Sequence, residues 1–73
     1  MTEHEIYANR LRIGSRIAEV RELRHLTQEE LALRTGLTQG NISRIEHGKY
    51  SVTLDVLFRI AQGLDCEIAL ILK

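Results

Sequence analysis

Three times along the chain an apolar residue precedes a threonine, and another apolar residue follows four positions after that threonine. The sets are Leu26-Thr27 with Leu31, Leu37-Thr38 with Ile42, and Val52-Thr53 with Leu57. A threonine in that place caps a helix, its hydroxyl accepting from an orphan N–H of the first turn. The flanking apolar pair is a hydrophobic staple that fixes the angle at which the chain joins the helix. Glu30, three residues after Thr27, completes a capping box, and Asp55 puts a negative charge in the first turn of the third segment. Gly36 and Gly48 stand where a left-handed residue ends a helix. The pattern predicts helices over 28–35, 39–47 and 54–63. Upstream, Ile13, Ile17 and Val20 recur at helical spacing to Leu23 or Arg24, and Ile6 extends that stripe. Thr2 and Glu5 form a second possible capping box, while Gly14 argues against one continuous rod.

The period changes at the end. Cys66, Ile68, Leu70 and Leu72 share one face at spacing two, which reads as a β-strand. A lone strand needs a ladder partner for its backbone groups. The simplest partner is the same strand of a second copy, which would remove Ile68, Ala69, Leu70 and Ile71 from water. The alternative is a last helical turn packed on the bundle. The predicted organisation is an N-terminal extension over 1–12, a helical domain over 13–65 and a dimerisation strand over 66–73.

Composition narrows what such a chain can be. A domain of 73 residues has a core that supplies only about 3–5 kcal/mol, so it needs further support. Cys66 is the single cysteine, which excludes an internal disulfide, and His4, His25 and His47 show no ligand spacing for zinc. Compact helix packing and self-association remain. Neither a leader nor a membrane-length apolar run is visible, so the expected location is cytoplasmic. Ten basic residues cancel ten acidic ones, so any nucleic-acid binding must come from local placement. No nucleophile–base pair, phosphate-binding glycine loop or metal constellation is present, which argues against an enzyme and implies no cofactor. Cys66 is expected to be a small buried apolar residue, and His47 a partner for a helix dipole or a phosphate contact.

The chemistry concentrates in the middle. Two short helices joined by Gly36-Leu37-Thr38 are the pattern of a helix-turn-helix, whose second helix enters the major groove of DNA. Leu31, Leu37, Ile42 and Ile45 close a small core beneath the turn, which leaves Gln39, Gly40, Ser43 and Arg44 outward. Gln bonds adenine N6 and N7, and Arg bonds guanine O6 and N7. Asn41, Lys49, Tyr50 and Ser51 suit phosphate contacts that set register, although Tyr50 suits packing equally. Arg10 and Arg12 fit either a DNA-contacting arm or a solvated, charge-mixed segment.

The stretch from Ile17 to Leu64 resembles the Cro/XRE class of helix-turn-helix domains. The residues that carry the resemblance are Ile17, Arg21, Leu26-Thr27-Gln28-Glu29-Glu30-Leu31-Ala32, Gly36-Leu37-Thr38-Gln39, Ile42-Ser43-Arg44-Ile45-Glu46, Gly48-Lys49, Thr53-Leu54, Leu57, Ile60-Ala61 and Leu64. The resemblance implies a mostly α fold, a compact bundle of four or five helices that binds operator DNA, usually as a dimer. It implies that Gln39, Gly40 and Arg44 read bases and that Gln28, Asn41, Ser43 and Lys49 face phosphates. It also implies an Arg21–Glu46 ion pair, which makes the DNA face more positive than the net charge suggests. Gly40 departs from the family by lacking a side chain at a reading position, and His25 and Asp65 stand where glycine is usual. The function expected is a homodimeric, sequence-specific regulator, a repressor, on a pseudo-palindromic operator in double-stranded DNA. The alternative is an antitoxin-type module that neutralises a toxin and represses its own operon.

Overall fold

The computed structural model describes residues 1–72. Four helices follow one another: α1 (Glu3–Leu23), α2 (Gln28–Thr35), α3 (Gln39–Glu46) and α4 (Leu54–Gly63). Each begins on a threonine cap. The hydroxyls of Thr2, Thr27, Thr38 and Thr53 accept from the backbone N–H of Glu5, Glu30, Asn41 and Val56 at 3.1–3.2 Å. At Thr2 and Thr27 the glutamate three residues on accepts the cap's own N–H in return, so both capping boxes are closed. Gly36 ends α2 at φ +73°, where a side chain would be strained. His25 and Asp65 hold φ of +59° and +53° in the turns after α1 and α4, the two positions where the resemblance leads one to expect glycine.

The core is one cluster. Ile17, Leu26, Leu31, Ala32, Ile42, Ile45, Ile60 and Leu64 are buried, with Val20, Leu37, Val52, Val56 and Leu57 packed against it. The staple residues are among these, so the local devices that start the helices also seed the interior. In this arrangement α3 is held between α1 and α2, and α2 packs in turn on α4.

Gly14 does not interrupt α1, which runs unbroken through it. Its role is close approach: a methyl there would lie 2.8 Å from the Glu46 carbonyl oxygen and closer still to that of Ile45. The missing side chain lets α1 cross against the C-terminal end of α3. The stripe predicted on α1 is only partly inward, because Ile17 is buried and Val20 half-buried while Ile6 and Ile13 remain largely exposed.

The C-terminal segment corrects the reading from periodicity. Among the described residues there is no strand, and nothing helical continues past Gly63. Residues 66–72 run as irregular chain, with Leu70, Ile71 and Leu72 almost wholly exposed; Lys73 lies outside the described residues. The physical reason is that alternation supplies a face but no ladder, and the described residues include no extended neighbour to pair with. Cys66 is exposed rather than buried. The start of the segment is nevertheless fixed. Cys66 N–H donates to Ala61 O at 2.9 Å, and the Arg24 guanidinium donates to Leu64 O at 2.9 Å and Asp65 O at 3.0 Å.

Candidate nucleic-acid interface

The α2–turn–α3 unit presents α3 with its apolar side inward. Ile42 and Ile45 are buried, and Glu46 joins them on that side. Helical periodicity then turns Gln39, Gly40 and Arg44 outward, where all three are exposed. Asn41 and Ser43 flank that ridge half-buried, and Lys49, Tyr50 and Ser51 are exposed in the loop beyond.

The Arg44 guanidinium folds back along α3, donating to Asn41 Oδ1 at 2.5 Å. It lies over Gly40, where a methyl would be 3.9 Å from its nearest nitrogen. A methyl at that distance is in ordinary contact, so the arginine does not require glycine at this position. The loop is held from both sides: Lys49 N–H donates to Arg44 O at 2.9 Å, and Arg10 Nε donates to Gly48 O at 3.2 Å. Arg10 therefore has a structural role, and Arg12 donates to Asn9 within its own helix at 3.1 Å. His47 is exposed, with its Nδ1 2.7 Å from Ser43 O at the end of α3. Tyr50 lines an apolar groove with Ile6, Ile13 and Val52 as well as standing beside Lys49.

Behind the ridge is a charged network. Arg21 Nε donates to Glu46 Oε2 at 2.7 Å and its Nη2 to Glu46 Oε1 at 3.1 Å, while Nη1 donates to Leu26 O at 2.8 Å. The Glu46 side chain is 4% exposed and that of Arg21 12%. The hydrogen bonds to Glu46 hold the Arg21 pKa above its ordinary value, against the opposing effect of burial. This is the ion pair that the family resemblance implies, joining α1 to the end of α3.

Gln28 is the residue the sequence places least well. It sits half-buried at the head of α2, and its Nε2 donates to Glu46 Oε1 at 2.9 Å. Its Oε1 accepts from Gln39 Nε2 at 3.2 Å. A second N–H on Gln28 Nε2 remains for a phosphate. The links from Gln28 to Glu46 and Gln39 are invisible in sequence, apart from one hint: Gln28 and Gln39 each directly follow a threonine cap.

Comparison with known proteins agrees with this geometry. A family model described as helix-turn-helix matches residues 17–71. An HTH-type transcriptional regulator of Methanothermobacter thermautotrophicus is 47% identical over 51 residues, covering 70% of this chain and 74% of that protein. The HTH-type transcriptional regulator y4dL of Sinorhizobium fredii is 41% identical over 58 residues; the match covers 80% of this chain but 30% of that longer protein. Among solved structures, the restriction-modification controller protein C.AhdI from Aeromonas hydrophila superposes with a TM-score of 0.83 at 33% identity, over 90% of this chain and 93% of that one.

The family model and the relatives thus define the class, a helix-turn-helix transcriptional regulator. The chain belongs to the Cro/XRE-type helix-turn-helix family of transcriptional regulators. Among the described residues no helix is long and apolar enough to cross a membrane.

Proposed function

We propose that the chain is a sequence-specific repressor that binds a pseudo-palindromic operator as a homodimer. The observation that carries this reading is the ridge of Gln39, Gly40 and Arg44 on α3, exposed among the described residues and backed by a buried face. Gln39 and Arg44 supply the donors and acceptors that distinguish base pairs in the major groove. Gln28, Asn41, Ser43, Lys49, Tyr50 and Ser51 set register on the backbone beside it. Pairing Arg21 with Glu46 removes a bare carboxylate from the surface that meets the phosphates.

A second copy is supported by what the domain leaves uncovered. Leu54 and Phe58 on α4 are 67% and 54% exposed. Beside Phe58, one hollow gathers Arg59 with Asp55, Asp65 and Glu67, a mixture of charges able to complement its own copy across a two-fold axis. Two copies present their α3 helices about 34 Å apart, so the half-sites lie one turn of duplex apart. Repression follows from occupancy, because operator DNA covered by the dimer is closed to polymerase.

Selection of bound fragments from random duplex DNA by the full chain tests the reading. The expected result is enrichment of an inverted repeat with half-sites about one helical turn apart. Enrichment of nothing at low salt would contradict it.

A further inference from the structure

We infer that Arg24 and Arg34 set which separation of half-sites the homodimer accepts, by locking the end of α4 to the helix-turn-helix. This rests on the dimeric DNA-binding function proposed above. A helix end leaves carbonyls without partners inside the helix. At α4 the backbone N–H groups of Leu64, Asp65 and Cys66 return to Ile60 O, Gln62 O and Ala61 O at 2.9–3.1 Å. The carbonyls of Gly63, Leu64 and Asp65 remain, and each accepts from a guanidinium. Arg34, on α2, donates from Nη1 to Gly63 O at 3.2 Å. Arg24, the cap of α1, donates from Nε to Leu64 O at 2.9 Å and from Nη2 to Asp65 O at 3.0 Å. Cations belong at this negative end of a helix dipole. Among the described residues, the last turn of α4 has no basic side chain of its own. Two other helices supply the charge instead, and in doing so tie themselves to α4.

What the clamp holds is the face offered to a second copy. The hollow beside Phe58 is walled by Phe58, Arg59 and Gln62 from α4 and by Asp65, Glu67 and Ile68 from the tail. The clamped carbonyls lie where these two walls join. Toward the DNA side, α4 packs on α2 and α2 on α3. The first of these contacts is close, since a methyl at Gly63 would lie 2.9 Å from Thr35 Cγ2 and 3.2 Å from Leu31 Cδ1. The angle between the dimer face and the reading ridge therefore passes chiefly through the joint that the two arginines tie. One base pair added between half-sites moves one of them by about 3.4 Å and turns it by about 34° around the duplex. A rigid joint cannot follow that change, and a loose one can. Both guanidiniums direct their bonds to the end of α4 and not to the ridge, so reading within a half-site is independent of them.

The experiment compares the full-length parent, Arg24→Met combined with Arg34→Met, and Thr27→Ala, with a thermal melt of each. Methionine keeps an apolar stem and removes the donors. Affinities are measured on the selected inverted repeat, on repeats one base pair nearer or farther, and on repeats with a base changed inside each half-site. Protein is held at concentrations where sedimentation shows the dimer. The parent is expected to prefer its selected spacing by about 10²-fold, the gain from engaging both half-sites at once. In the double variant that preference falls to about tenfold or less, while discrimination among bases inside a half-site is unchanged. Thr27→Ala, weakened at a helix start instead, keeps the spacing preference of the parent. A folded double variant with the parent's spacing preference overturns the clamp, as does equal relaxation in Thr27→Ala or a loss of base discrimination along with spacing. Arg34→Met alone, which removes one bond of the three, decides by the same readings if the double variant does not fold. Should the parent select no inverted repeat, the dimeric DNA-binding function fails, and the clamp is judged on the free protein by residual dipolar couplings. One alignment tensor is expected to fit all four helices of the parent, with α4 departing from it in the double variant; α4 still fitting there overturns the clamp.

Discussion

Two glycines of the same chain call for opposite outcomes when a methyl is added. At Gly14 the methyl meets carbonyl oxygens of Ile45 and Glu46, both backbone, so α1 and α3 must separate. Gly14→Ala is expected to cost at least about 1–3 kcal/mol in denaturant unfolding. At Gly40 nothing lies nearer than the Arg44 guanidinium at 3.9 Å. There the substitution is expected to stabilise the fold by about 0.5–1 kcal/mol, since alanine is the better helix former. Equal effects at the two sites would show that the approach of α1 to α3 is wrongly described. The side chains on the ridge divide in the same way. Arg44→Ala is expected to cost about 1–3 kcal/mol on the selected site and to relax preference at one position. Lys49→Ala is expected to weaken all duplexes alike and to lower the salt dependence of binding by about one phosphate contact. Equilibrium titrations on matched and mismatched duplexes at several salt concentrations separate the two. At this scale the sequence marks Arg44 and Gln39 as candidate readers by residue type alone, and the structure places both exposed on α3. The sequence does not reveal the role of Gln28, whose partner Glu46 is eighteen positions away and becomes adjacent only when α1, α2 and α3 assemble.

Helix starts are legible because capping is local. Thr27 and Glu30 need only each other and the backbone between them, and the structure closes that box as the pattern predicts. Thr27→Ala is expected to cost about 1 kcal/mol in thermal or denaturant unfolding. The same box carries a pH dependence. Hydrogen bonds from the Thr27 backbone N–H, then from its side chain, with attraction from Arg34, lower the Glu30 pKa below 4.5. Its contribution is therefore in place above that value and is lost as the pH falls through the lowered one. Melting temperatures followed from about neutral to about pH 3 should fall less steeply in Glu30→Gln than in the parent; coincident curves would remove Glu30 from the acid response. Two elements were not legible for physical reasons of their own. Gly14 reads as a helix breaker, yet its intrinsic penalty of about 0.5–1 kcal/mol is outweighed by the contact it permits. The alternating tail reads as a strand, yet alternation supplies no hydrogen-bond partner, and residues 66–72 stay irregular.

For the whole molecule, the apolar surface of α4 bears on assembly. Phe58 contributes little to the core because it is more than half exposed. Phe58→Glu is therefore expected to leave the monomer folded while shifting sedimentation from dimer to monomer, with a melting temperature lower by the lost association and no longer dependent on protein concentration. Affinity for the inverted repeat should then drop by about 10²-fold or more, as two linked half-sites become independent. A variant that remained dimeric would place the interface elsewhere. The bundle as a whole was readable because its staples double as core, Leu26, Leu31 and Ile42 among them. The proposed pairing of two copies through α4 was not, since exposure of α4 and of the tail is a property of the assembled surface.

The central claim is that the outward ridge of α3 lies against base edges. Mapping backbone amide shifts of the isotopically labelled full chain, as the selected duplex is added, tests it most directly. The account predicts large changes over 39–44 and 49–51, extending to Gln28, with α4 affected little at constant dimer content. Shifts confined to α4 and the tail, with α3 silent, would contradict it.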